Sequence, residues 1–361
     1  MKEIQTADGG IAEIKPNFPD AAKRWEAYWN HDIIDRPVLV AAIRKPGAGM
    51  KPESSYRDRV YGDLDEILGN ALENAKNIEW LGESIPSFWS SLGTHEIAGF
   101  CGYETEWDPG GLDMNWCKHI EAEWEDIFPL QVQKDGFLYL RSKEMYRKSK
   151  KILGGRVIPF SMDFHTNLDL LMSIRGDAEL CMDTFDNSEQ IDRGIEYACG
   201  VFRELWEMFQ RESGVDEFGY FHDMYSEKPL TSLACDFSAL IGSDMFKRWV
   251  VPALTYESET VGDRCVYHWD GPGALKHCDD LLTISNIHTF RYVPSPETYH
   301  TEFLDIYKKC QATGKGICFS GNTEEIKAAH RELDPALTVY CTGVRDADEF
   351  HELEKWFVRN T

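Results

Sequence analysis

From about residue 157 onward the chain alternates short apolar runs with stretches whose apolar residues recur every three or four positions. Such alternation is the signature of a parallel α/β fold, because each helical stripe needs a sheet face to bury against. The strand candidates are Val157–Phe164, Glu217–Met224, Arg264–Asp270, Asn286–Val293, Gly316–Gly321 and Leu337–Thr342. Between the first two, Asp186-Asn187-Ser188-Glu189 reads as a helix start. Ile191, Ile195, Ala198, Phe202, Leu205, Trp206 and Phe209 then form one buried stripe, and Gly214 stands where a stop is expected. Ser243 is expected to cap a helix carrying Phe246, Trp249 and Val250, bent at Pro252. Leu275, Cys278, Leu281 and Leu282 make another stripe, as do Phe303, Ile306, Tyr307 and Cys310. Thr323 is expected to cap the next helix. Asp346 opens the last one, packed through Phe350, Leu353, Trp356 and Phe357.

The first half is less regular. Ala22–Asn30 reads as an amphipathic helix, and Arg36-Pro37 leads into a strand over Val38–Ile43. Residues 47–155, which hold Trp80, Trp89, Trp107, Trp116 and Trp124, read as a helical elaboration inserted after that strand. Seven strands are counted in all. A (β/α)8 TIM barrel needs eight, and Phe137–Arg141 or Ser232–Phe237 is the candidate for the eighth. The expected architecture is one barrel domain over 1–361, its best-defined part being 156–361.

Hydrophobic residues make up 42% of the 361 and charged ones 28%, which excludes a disordered, collagen-like or membrane-spanning chain. Lys and Arg number 38 against 62 Asp and Glu, a net charge of −24. Such a surface repels phosphate, so neither nucleic acid nor anionic membrane is expected as a partner, and a small-molecule substrate is. Met1 to Gly10 lack the basic start and apolar core of a secretory leader. Ten cysteines without any Cys-x-x-Cys then point to reduced thiols and a cytoplasmic protein. The aromatic-rich first half offers a surface for a homodimer.

Barrel chemistry sits at the carboxyl ends of strands. Those ends carry Asp163 and His165, then His222 and Asp223, then His268 and Asp270, followed by Arg291, Ser320, Asn322 and Cys341. Side chains alternate along a strand, so His268 and Asp270 share a face, whereas adjacent His222 and Asp223 diverge unless a bulge intervenes. Imidazole, carboxylate and thiol suit zinc or another divalent metal, and His268, Asp270 and Cys341 are the candidate ligands. Asp270 capping the following glycine-rich turn is the purely structural alternative. The catalytic candidates are His268, Asp270, His222 and Asp163. Tyr220, Arg291, Asn322 and Arg44 are the candidate substrate-binding residues.

Several segments together resemble the uroporphyrinogen decarboxylase superfamily. Arg175-Gly176 with Asp183-Thr184-Phe185-Asp186-Asn187 is similar to its RG…DLYDDPE region. Gly242-Ser243-Asp244-Met245-Phe246, with Trp249 and Pro252, resembles its SP-x-x-F…P segment. His268-Trp269-Asp270-Gly271 falls where many members have His-x-Cys-Gly, and Ser320-Gly321-Asn322 resembles the later x-G-N element. The likeness covers Val157 to Phe357 and, more loosely, Trp25 to Pro37. It implies a (β/α)8 barrel and one of two chemistries. The first is methyl transfer between a corrinoid carried on a partner protein and a thiol or folate, with zinc held by His-x-Cys and a later Cys. Its ligand positions fall on His268, Asp270 and Cys341, with a carboxylate in place of one thiolate. The second is decarboxylation of a porphyrinogen. Ala41-Ala42-Ile43-Arg44-Lys45-Pro46-Gly47 has only two cations where the decarboxylase carries an RQAGRY-like motif, so the methyltransferase branch is favoured. A non-catalytic protein that binds a corrinoid or folate is the third reading.

Overall fold

The computed structural model describes residues 10–361 apart from 112, 121 and 297. The segment read above for a leader therefore lies almost wholly outside the described residues. The strands are β1 (Val38–Arg44), β2 (Ile78–Gly82), β3 (Ser87–Phe88), β4 (Thr105–Trp107), β5 (Asn115–Cys117), β6 (Ile158–Pro159) and β7 (Gly219–Phe221). They continue as β8 (Met224–Ser226), β9 (Thr231–Ala234), β10 (Cys265–Asp270), β11 (Ile287–Val293), β12 (Gly316–Ser320) and β13 (Thr338–Cys341). Seven of them form one sheet in the order β2-β1-β13-β12-β11-β10-β9. Only β2 runs antiparallel in it, against β1. Strands β3 and β6 form a separate parallel pair.

The fold is thus mixed α/β around a mostly parallel sheet, with helices supplying the apolar stripes that cover it. The helix Ser188–Ser213 buries Ile191, Ile195, Ala198, Phe202, Leu205, Trp206 and Phe209. It stops at Gly214, whose φ of 75° is the left-handed conformation that glycine adopts without steric cost. Ahead of Pro252 the helix opens into a π turn over Phe246–Val250 and resumes as Val251–Val261. A wider turn there accommodates the missing proline N–H without a sharp break. The final helix, Ala347–Asn360, is capped by the Asp346 side chain as expected and buries Phe350, Leu353 and Phe357.

Several expectations change. The strand read over Val157–Phe164 is only β6, Ile158–Pro159, and Ser243, expected to cap its helix, instead donates its hydroxyl to Asp280 at 3.0 Å. Of the two candidates for an eighth strand, Thr231–Ala234 joins the sheet, whereas Phe137–Arg141 opens the helix Phe137–Ile152. Glu217–Met224 is not one strand but the hairpin β7–β8, which lies outside the main sheet. Its two-residue turn is His222-Asp223, with φ of 43° and 68°. Positive φ at both central residues is what a tight two-residue hairpin requires. Residues 47–155 carry helices such as Leu64–Lys76 and Phe137–Ile152, but also β2 to β5. No described helix is long and apolar enough to cross a membrane.

Candidate functional site

Strand β10 places the central histidine. Trp269 is buried on one face, against Phe290 and Tyr292 of β11 at ring-centroid distances of 5.7 and 5.9 Å. His268 and Asp270, one residue to either side, therefore both point to the other face, as the alternation predicts. Register pairs His268 with Arg291 and Ser320 with Cys341. Paired residues of parallel strands share a face, so Arg291 joins His268.

The hairpin turn then folds over this face. The His222 ring stacks on His268, with centroids 5.6 Å apart and planes at 20°. It also packs on Trp89 at 5.3 Å. Arg291 donates to the His222 carbonyl and lies 3.5 Å from the Asp223 carboxylate, which in turn accepts from the Tyr220 hydroxyl at 3.4 Å. Left-handed backbone at two successive non-glycine residues thus brings both members of the adjacent pair to the site. A regular strand would have sent one away. Burial and the nearby Arg291 lower the His222 pKa to about 3, so this ring is neutral. Burial lowers that of His268 too, against the opposing charge of Asp163. The His268 Nδ1 is buried without a hydrogen-bond partner.

An ion cage adjoins these rings. His165 lies between three carboxylates: its Nε2 is 3.5 Å from Asp163, and its Nδ1 is 3.1 Å from Asp169 and 3.8 Å from Asp236. Asp163 and His165 follow β6, Asp236 follows β9, and Asp169 stands in the first turn of the helix Asn167–Arg175. Burial disfavours charge on His165, but Asp163, Asp169 and Asp236 together hold the imidazole pKa well above its usual value. Burial likewise opposes ionisation of Asp163, and His165, His222 and His268 outweigh it, holding that carboxyl below the usual range. Asp236 goes the other way. Burial and the neighbouring Asp169 push it up to about 7.

Two buried carboxyls brace this cage from behind. Glu96 accepts the backbone N–H of Asp163 at 3.1 Å and of Leu92 at 2.8 Å, and burial lifts it to about 7. Glu257 accepts from the Thr166 hydroxyl at 2.5 Å and from the Asn167 amide at 3.4 Å, and burial lifts it to about 8. Asn167, at φ of 48°, also donates to the Ala234 carbonyl at 3.0 Å. The turn between His165 and Asp169 is thereby tied to the end of β9. Asp169 adds a second tie by accepting the N–H groups of Asp236 and Phe237, each at 2.9 Å.

Of the remaining predicted residues, Cys341 lies near enough to Arg291 and Asp223 to feel their charge, and Asn322 and Arg44 make contacts of their own. The Cys341 thiol is 3.6 Å from Cys318, and His268, Asp270 and Cys341 do not come within one coordination sphere. Among the described residues the one such group is His165, Asp169 and Asp236. The Cys341 hydrogen bond to Cys318, together with burial, raises its pKa well above the usual thiol value. Asn322, expected to bind substrate, caps the helix Thr323–His330 through its side chain, the role expected of Thr323. Exposed Arg44 donates to the Ala48 carbonyl and closes its own loop. Asn322 and Cys341 do line a cleft of about 510 Å³, together with Val40, Trp80, Asp223 and Ser320. Asp169, Asp236, Glu96 and Glu257 escaped sequence reasoning. The Asp163-x-His165-x-x-x-Asp169 spacing at a strand-to-helix junction was the available signal for the first of them.

Fold and site define an α/β protein with its ionisable groups gathered at the carboxyl ends of parallel strands. No protein-family model matches the chain, and no curated protein matches it significantly. In three dimensions it is similar to a solved structure of a methyltransferase from Methanosarcina mazei, with a TM-score of 0.59 and 12% identity. The likeness covers 90% of this chain and 92% of that one. At that identity it speaks to the fold.

Proposed function

We propose that the chain is a methyltransferase-like enzyme of the uroporphyrinogen decarboxylase superfamily. On this reading it moves a methyl group between a corrinoid carrier and a thiol or folate acceptor. One observation carries it: a fold shared along nine-tenths of both chains with a methyltransferase, in which the polar cluster occupies the carboxyl strand ends. On the same reading β1, β3, β6 and β9 to β13 are the eight staves of a TIM barrel. The joint between β6 and β9 is then made by side chains such as Ser161 and Thr231, whose hydroxyls are 2.6 Å apart.

His268, His222, Asp163 and Arg291 face the substrate. His268 and His222 are neutral rings that can accept or orient a proton at the acceptor atom. Trp89 and Phe160 wall the space beside His222 and exclude water. The superfamily's metal, bound at His268, Asp270 and Cys341, does not fit the arrangement. A tetrahedral zinc needs its donors about 3–4 Å apart, whereas those of His268, Asp270 and Cys341 do not all lie within 4.8 Å of one another and the Cys341 thiol lies 3.6 Å from that of Cys318. No step is therefore assigned to a metal at that position.

A porphyrinogen carrying many carboxylates is disfavoured by charge. Arg291 is already engaged by the His222 carbonyl and Asp223, and His165 by Asp163, Asp169 and Asp236, so carboxylates outnumber the cations of the cluster. The test is anaerobic incubation with methylcobalamin and a small thiol or tetrahydrofolate, following the visible spectrum. Loss of the methylcobalamin spectrum that requires both protein and acceptor supports the reading. A spectral shift without turnover indicates a binding protein and overturns it. So does coproporphyrinogen formed from uroporphyrinogen.

A further inference from the structure

His165, Asp169 and Asp236 bring one imidazole and two carboxylates together at the ends of two strands. We propose that His165, Asp169 and Asp236 bind a first-row divalent cation, Mn2+ or Zn2+, at the ends of β6 and β9. Their three donor atoms all lie within 4.8 Å of one another. Metal bonds to imidazole nitrogen and carboxylate oxygen are about 2.0–2.2 Å long, so neighbouring donors sit about 3.0–3.5 Å apart. The His165–Asp169 separation of 3.1 Å meets that, and the His165–Asp236 separation of 3.8 Å needs only a few tenths of an ångström of closure.

Two features outside the donor triangle point the same way. First, Asp236 Oδ1 is buried with no hydrogen-bond partner, although such an oxygen normally finds one. A cation taken by both oxygens of Asp236, the Oδ2 beside His165 and this Oδ1, supplies it. Second, the far nitrogen of His165, Nε2, faces Asp163 at 3.5 Å. A metal-bound histidine usually turns its other N–H to a carboxylate, which fixes the tautomer and strengthens the donor. Access is open, since the Asp236 side chain keeps 38% of its surface exposed while Asp169 keeps none. One imidazole with two carboxylates suits a cation of intermediate hardness, and water completes the sphere.

This site differs in ligands and position from the His268–Asp270–Cys341 set, and it stands whether or not the chain transfers methyl groups. The experiment needs no methyl donor. The full chain is stripped with EDTA and desalted, then titrated with Mn2+ while the spin resonance of free Mn2+ is read, and Zn2+ is added in competition. The expected result is one equivalent of Mn2+ bound and displaced by Zn2+. Asp236→Asn removes the binding, Asp163→Asn weakens it about 10- to 100-fold, and Cys341→Ser leaves it unchanged. Should Asp236→Asn fail to fold, Asp163→Asn decides alone. No stoichiometric uptake overturns the proposal. So does uptake indifferent to the tested aspartate variants or lost with Cys341→Ser.

Discussion

Glu257 supplies the sharpest thermodynamic test of how the site is held. Its side chain is wholly buried, and burial lifts its pKa from the ordinary 4.5 to about 8. The native state therefore keeps a proton that the unfolded chain releases above about pH 4.5. A raised carboxyl pKa gives stability that is full below the unfolded value and is lost as pH climbs through the folded value. Going from pH 5 to pH 8, this one group withdraws about 3–4 kcal/mol, taking 1.36 kcal/mol per pH unit over most of the interval. Glu257→Gln keeps an acceptor for Thr166 and cannot ionise. Urea unfolding at pH 5, 6, 7 and 8 should show the wild type losing stability faster than the variant, with a gap that widens by about 3 kcal/mol. Glu96 and Asp236 shift in the same direction and cancel in the comparison. Parallel curves would refute the claim that Glu257 is held protonated behind His165 and Asp169.

Two further perturbations test the frame. Arg36 and Glu83 are 2% and 1% exposed, paired at 2.6 Å, and Glu83 also accepts the Leu39 N–H at 2.9 Å. Glu83→Ala leaves the guanidinium with half-buried Glu354 at 2.7 Å and should cost about 3 kcal/mol in denaturant unfolding. Gly82 has φ of 54°, and a Cβ there would meet the Leu39 carbonyl oxygen at 2.1 Å and Phe350 at 2.7 Å. Gly82→Ala should destabilise by at least about 2 kcal/mol, read as a lower midpoint at unchanged slope.

Much of this architecture is legible in the sequence because it is periodic. The Ile191–Phe209 stripe, the Gly214 stop and the Asp346 cap fall where spacing and capping chemistry put them. So does the shared face of His268 and Asp270. Residues 87–88 and 158–159 were not readable as a strand pair, because two-residue ladders leave no period. The hairpin at His222-Asp223 was hidden for a different reason. Its turn uses left-handed backbone at residues other than glycine and asparagine, so the apolar run reads straight through it. The ion cage was half visible. Asp163 and His165 stand at a strand end, and the candidate strand Ser232–Phe237 ends beside Asp236. That these two ends meet depends on which strands neighbour each other, which no local pattern encodes.

We propose that methyl transfer takes place at the His222–His268–Asp163 face. Isotope transfer tests it most directly: 13C-methyl-labelled methylcobalamin and a thiol are incubated with wild type, His268→Ala and Asp163→Asn, and the methyl thioether is counted by mass spectrometry. Labelled product is expected with the wild type, and at least about a hundredfold less with either variant at equal folded concentration. Label appearing equally with all three, or with none, would contradict it.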